Sequence, residues 1–184
     1  LAWIVTFETD ETVYVDAVSN EVLGGSQPLS TDYGRALQVV EGDGRSHKVD
    51  LASAGLSRLG YNQNGYPPVD WNITQADIDY LFSAPNLYGL YLCSHGSFLG
   101  DEHILNDGAY HESTWTKSSK GNYGNWHFVF LDACKTSTND LWVNALHASG
   151  SGRCFVGWNV RVNTGTSYSF AKRFWPRVRF YVNR

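Results

Sequence analysis

The sequence predicts an α/β domain with a mostly parallel central sheet buried on both faces, preceded by a short β-hairpin. Three apolar runs of strand length, Leu87–Cys93, Trp126–Leu131 and Cys154–Trp158, are continuous rather than alternating. A strand covered on both faces reads that way. Stretches with apolar residues at helical spacing lie between and beyond these runs, and strands that alternate with helices form a parallel sheet through crossover connections. Near the start, two β-rich runs flank the acidic turn Glu8-Thr9-Asp10-Glu11, which is a hairpin pattern.

The hairpin spans Ala2–Phe7 and Thr12–Ala17. Two strands alone are marginal in water, so the pair is expected to belong to a larger sheet. Gly24-Gly25-Ser26-Gln27-Pro28 opens a linker that runs to Asp32, dividing the chain into residues 1–27 and an α/β domain over 28–184. Ala36–Val40 reads as a strand, and Val49–Leu59 as a helix that stops at Gly60. Tyr61–Asp70 is turn-rich. Thr74 caps a helix over Gln75–Phe82, with Asp77 completing a capping-box pattern. The strands Leu87–Cys93 and Trp126–Leu131 follow, then a helix over Asn139–Ala148, the strand Cys154–Trp158 and a helix over Thr166–Trp175. Phe180-Tyr181-Val182 reads as a last strand.

Composition narrows the function classes. The 184 residues are 15% aromatic and only 17% charged, against about 25% charged in an average globular chain. A disordered chain has the opposite balance. The net charge of -4, with 14 Lys and Arg spread singly, argues against a nucleic-acid surface. No apolar run approaches the roughly 18 residues of a membrane span. Methionine is absent and the chain starts at Leu1, which points to a processed product or a piece of a longer precursor. A polar surface built more from Ser, Thr and Asn than from Lys and Glu suits an extracellular microbial protein. The three cysteines are an odd number. Cys93 and Cys154 lie inside apolar runs and read as core residues, whereas Cys134 stands just past one.

In parallel sheets the site lies outside the carboxyl ends of the strands. Ser94-His95-Gly96-Ser97 follows the first apolar run and Asp132-Ala133-Cys134-Lys135 the second. A His and a Cys at one sheet edge suit a thiol nucleophile, because an imidazole and oriented amides raise the thiolate fraction at neutral pH. Gly96, lacking a side chain, lets its N–H approach a developing oxyanion, with the N–H of Cys134 as a second donor. The plainer alternative is a coincidence of two strand ends.

These residues resemble the caspase-like clan of cysteine peptidases, which includes clostripain, gingipains, metacaspases and caspases. The motifs are Leu90-Tyr91-Leu92-Cys93-Ser94-His95-Gly96 and Phe128-Val129-Phe130-Leu131-Asp132-Ala133-Cys134, with Cys154-Phe155-Val156-Gly157-Trp158 and the helix containing Phe170-Ala171 and Phe174-Trp175 downstream. The resemblance covers roughly residues 36 to 178 and implies a three-layer αβα sandwich. It makes Cys134 the nucleophile, His95 the proton donor to the leaving amine, and the Gly96 and Cys134 amides the oxyanion hole. It also implies that Asp132 lines a pocket selecting Arg or Lys. Trp158, at the carboxyl end of a strand, and Asn159 after it are further substrate-binding candidates by position. The bland role for Asp132 is to accept backbone amides at the strand end. In the loop where basic-specific relatives often carry a second acid, this chain has Asn159, Arg161 and Asn163. Val13-Tyr14-Val15-Asp16-Ala17 and Glu21-Val22-Leu23-Gly24 resemble the closing hairpin of PepSY-like propeptide domains, which makes a flanking domain of the precursor a partner.

Other groups are weaker. His95, His103 and His111 recur at eight-residue spacing among Asp101, Glu102, Asp107 and Glu112, without a zinc or EF-hand pattern. A solvated loop over the site is the expectation there, with no metal. Asn72-Ile73-Thr74 is a glycosylation sequon. Trp115, Trp126 and Trp158 are candidates for a substrate groove, and His127 and His147 read as structural. The sequence therefore leads to a cofactor-independent cysteine endopeptidase acting on peptides or proteins after basic residues. The alternatives are a catalytically weak or inactive caspase-like binding or scaffold domain, and a thiol hydrolase with a small substrate.

Overall fold

A computed structural model describes residues 3–6, 12–15, 33–38, 46–62, 84, 87–99, 102–106, 110–112, 126–148 and 153–178. The Thr74-capped helix, the sequon, Asp101, Asp107, Trp115, the linker and the strand expected at 180–182 lie outside them. Twelve elements are described. The strands are β1 Trp3–Thr6, β2 Thr12–Val15, β3 Tyr33–Gln38, β4 Leu87–Cys93, β5 His95–Leu99, β6 Glu102–Asn106, β7 Tyr110–Glu112, β8 Phe128–Asp132 and β9 Cys154–Val156. The helices are α1 Ser46–Arg58, α2 Leu141–Ala145 and α3 Thr164–Phe174.

The α/β class and the parallel sheet are as expected. β3, β4, β8 and β9 form a four-stranded sheet in the order β3-β4-β8-β9, every pair parallel. β1 and β2 form the antiparallel hairpin, with Trp3 opposite Val15 and Thr6 opposite Thr12. Strand alternation sorts the apolar side chains into two cores. Leu90, Leu92, Val129, Leu131 and Phe155 face one way, against Trp142 of α2 and Leu146 behind it. Tyr91, Cys93, Phe128, Phe130 and Cys154 face the other way, against Val49, Ala52 and Leu56 of α1 and Ala171 and Phe174 of α3. Helices therefore cover both faces.

Residues 95–112 depart from expectation. In place of a solvated loop, β5, β6 and β7 form a separate antiparallel sheet, with Phe98 opposite His103 and Leu105 opposite His111. The sequence carries a signal for this: Gly-Asp between two β-rich runs is a two-residue hairpin pattern. β8 starts two residues later than the apolar run, and β9 ends at Val156 because Gly157 and Trp158 turn into the following loop. α2 is one short helix followed by a turn at His147, whose φ is 48°.

α1 begins three residues before the expected start, so Lys48 lies inside it. Gly60 terminates it at φ 93°, where an L side chain is strained. Tyr61 N–H donates to the Leu56 carbonyl and Gly60 N–H to that of Ser57, a Schellman pattern. The second core is largely aromatic. Tyr91, Phe130, Phe170, Phe174 and Trp175 pack with ring centroids 5.0 to 6.0 Å apart, mostly edge to face. Such pairs add about 0.5–1.5 kcal/mol each beyond simple burial. Gly55 is where α1 approaches this stack, since a Cβ there would overlap the Trp175 indole. Trp175 is fully buried and cannot move aside. Gly55→Ala should therefore destabilise by about 1–3 kcal/mol through overpacking, although Ala is the better helix former by about 1 kcal/mol. Urea unfolding of the variant measures the net sign; an unchanged or raised stability contradicts the packing.

Candidate active site

β4 and β8 are neighbouring parallel strands with Leu92 opposite Leu131 and Cys93 opposite Asp132. The chain therefore leaves both at one sheet edge, and Ser94 N–H donates to the Asp132 carbonyl at 3.3 Å. The two motifs meet directly beyond. A Cβ on Gly96 would lie within 3.0 Å of the backbone N, C and O of Cys134. Only glycine permits that approach of main chains. His95, immediately before it, is exposed at the start of β5, and the Cys134 side chain is half-buried.

Cys134 begins a turn laced to the loop after β9. Val162 N–H donates to Cys134 Sγ at 3.3 Å, and Sγ lies 3.4 Å from the Val162 carbonyl as a donor. Lys135 follows at φ 61°, in the left-handed region, with its N–H donating to the Val160 carbonyl. Ser137 N–H donates to the Trp158 carbonyl. The buried Thr136 hydroxyl lies 3.0 Å from the Leu131 and Ala133 carbonyls and accepts the Trp158 N–H at 3.3 Å. None of the three cysteines is in a disulfide; Cys93 and Cys154 are buried, and burial pushes the Cys154 thiol up to about 12.

Asp132 requires a correction. It is not an open pocket acid but is 3% exposed, at the centre of a buried network. Its Oδ2 accepts from Lys48 Nζ at 2.9 Å and from the Tyr91 hydroxyl at 2.6 Å. Its Oδ1 accepts from Trp158 Nε1 at 2.7 Å. The Ser167 hydroxyl lies 2.7 and 2.6 Å from the two oxygens, and also accepts from Lys48 at 2.8 Å. Trp158 is corrected with it: it is 3% exposed and donates inward, so it lines no open groove. The side chain at position 132 follows the strand alternation onto the helix-covered face, where burial demands partners. Asn159 and Arg161 are exposed on the loop, and Asn163 caps α3 by accepting the Thr166 N–H at 2.8 Å.

Burial pushes the Asp132 carboxyl up, yet the Lys48 charge and the donors Ser167 and Tyr91 outweigh it and hold it below its ordinary 3.8. For Lys48, burial pulls the ammonium down, but Asp132 and Cys93 raise it past 10.5. Tyr91 is pushed well above 10.0 by burial and by Asp132. Lys48 and Ser167 were missed at the sequence level. Lys48 lies four residues before Ala52, and Ser167 four before Ala171, each on a buried helical stripe. A polar residue on each of two buried stripes, beside a carboxylate ending a buried strand, is a readable signal of partnership. His103 and His111 lie on β6 and β7. Among the described residues no group of three or more His, Cys, Asp or Glu is gathered for a metal ion, and no helix is long and apolar enough to cross a membrane.

Lys48→Met strands a buried carboxylate and should cost about 3–5 kcal/mol near neutral pH. The wild-type contribution of Asp132 is present above 3.8 and is lost as pH falls from there through its lowered value. That of Lys48 is present below 10.5 and is lost as pH rises past it. Urea unfolding across pH should thus show the gap between wild type and Lys48→Met shrinking in acid, where the stranded carboxyl takes a proton; a gap that stays constant contradicts the ion pair. Gly96→Ala forces the two motif backbones apart, and alkylation of Cys134 should change rate while far-ultraviolet circular dichroism is retained. An unaltered rate contradicts the close approach.

No protein-family model matches the chain, no curated protein matches it, and no solved structure matches it.

Proposed function

We propose that the chain is a cysteine hydrolase of peptide bonds with a three-layer αβα fold of the caspase-like kind, acting through Cys134 and His95. The observation that carries this reading is the contact of the Gly96 and Cys134 main chains at the carboxyl edge of two neighbouring parallel strands. That approach gathers a thiol and two main-chain amides, and His95, next to Gly96 in the chain, would be the proton carrier. In the reaction, His95 takes the Cys134 thiol proton as Sγ bonds to the peptide carbonyl carbon, and the carbonyl π electron pair moves onto oxygen, where the Gly96 and Cys134 N–H groups receive it. Collapse of the tetrahedral species expels the amine, protonated by His95, and leaves a thioester that water hydrolyses. The Val162 N–H also donates to Sγ and so helps to hold the sulfur in place. Cleavage after basic residues loses its support, because the carboxylate it relied on is already paired with Lys48.

One observation favours a second reading, an inactive binding or scaffold domain: the Cys134 thiol is already engaged as a donor to the Val162 carbonyl at 3.4 Å. Iodoacetamide labelling separates the two. A hydrolase should be alkylated at Cys134 at least about tenfold faster than at buried Cys93 or Cys154 near neutral pH. His95→Ala should remove that advantage, and Cys134→Ala should abolish peptide turnover. Turnover that survives Cys134→Ala overturns the hydrolase reading, and labelling indifferent to His95 favours the scaffold.

A further inference from the structure

We propose that the end of the molecule opposite Cys134 is a docking surface for an acidic polypeptide segment, recognised by the guanidinium groups of Arg58, Arg173 and Arg177. The inference is independent of the thiol chemistry at the other sheet edge.

Charge is unevenly divided along the chain. Half of the 14 Lys and Arg lie in residues 141–184, a stretch without Asp or Glu, so all 18 acids precede it. The fold gathers part of that excess in one place. α1 and α3 both start beside Asp132, where Lys48 and Ser167 reach it, and both run back toward the opposite edge of the sheet. Their last turns therefore end together, joined by the bond from Arg58 Nη2 to the Trp175 carbonyl at 2.7 Å. Asp50 is the one acid in either helix, and it sits near the start of α1.

The way α3 ends explains how the arginines are held. A helix leaves its last carbonyls without main-chain donors. Pro176 has no N–H, and the N–H of Arg177 goes to the Phe174 carbonyl. Arg177 Nη1 therefore serves the Arg173 carbonyl, at 3.0 Å, while Arg58 serves that of Trp175, two residues on. Each contact occupies one of the five N–H donors of a guanidinium and fixes its position. All three arginines are exposed, and among the described residues none of them meets a carboxylate. Their remaining donors are left for a partner on the solvent side.

The partner that fits carries carboxylates. A guanidinium meets a carboxylate with two parallel N–H bonds, and a cluster of three suits a short run of Glu or Asp. A long nucleic acid would carry its phosphates past the cluster and across a chain of net charge -4.

Fluorescence anisotropy of a labelled oligoglutamate peptide, titrated with the full chain, tests this. Binding should saturate, and should weaken about tenfold or more from low to high salt. Arg173→Gln, which breaks no described side-chain contact, should weaken it about tenfold, the scale of a hydrogen bond to a charged group. Arg173→Gln/Arg177→Gln should weaken it further, with far-ultraviolet circular dichroism unchanged. Arg161→Gln makes an equal change of charge at the thiol edge and should leave the affinity within a factor of about two. No saturable binding by wild type, or equal losses in Arg161→Gln and Arg173→Gln, overturns the inference. A labelled oligonucleotide of equal charge that binds more tightly, and loses that binding in Arg173→Gln, also overturns it and makes the surface a phosphate site.

Discussion

An ionised carboxylate at the end of a buried strand has to be satisfied by whatever surrounds it, and here four elements far apart in sequence do so. Lys48 comes from α1, Tyr91 from β4, Trp158 from the loop after β9 and Ser167 from α3. Left alone in an apolar setting, such a charge costs far more than a domain's net stability. The network therefore acts as a registration device. α1 and α3 can share one face of the sheet only in the arrangement that delivers both Lys48 and Ser167 to Asp132. Replacing the pair by apolar residues of similar volume is a different matter from removing one partner, because a well-made buried ion pair contributes little net stability.

Just beyond the network, backbone geometry takes over from charge. Lys135 at φ 61° is a bulky residue in a region suited to glycine, a strain of order 1–3 kcal/mol that persists only where the surroundings over-determine it. The surroundings here are the bonds to Val160, Trp158 and Val162 and the close passage of Gly96. The turn that presents Cys134 is thus held from the β9 side and from the β5 side at once.

The sheet was legible because continuous apolar runs such as Leu87–Cys93 leave few alternatives to a doubly covered strand. The meeting of His95-Gly96 with Cys134 was legible for the same reason, since parallel strands of equal direction end at one edge. The role of Asp132 was not. Alternation placed it on the side of a core, but which donor reached it depended on a helix starting at Ser46 rather than Val49, and helix starts are weakly encoded where no capping residue marks them. Trp158 was misread as a groove residue because an aromatic at a strand end has the same local signature whether its indole N–H points inward or out. The β5–β7 sheet is hard to read because the acidic and histidine content of the segment obscures the Gly-Asp hairpin pattern in its sequence.

The Schellman stop at Gly60 has a consequence for the sheet's outer margin. Past it, Tyr61 packs beneath Gly89, and Asn62 bridges Tyr33 while its carbonyl accepts the Gly34 N–H at 3.1 Å. Among the described residues β3 is the terminal strand on that side, and a terminal strand with open N–H groups is a template for pairing with another chain. By turning α1 back onto the start of β3, the glycine stop caps part of that margin with the protein's own backbone. A helix terminator thereby also supplies a backbone partner to the start of β3.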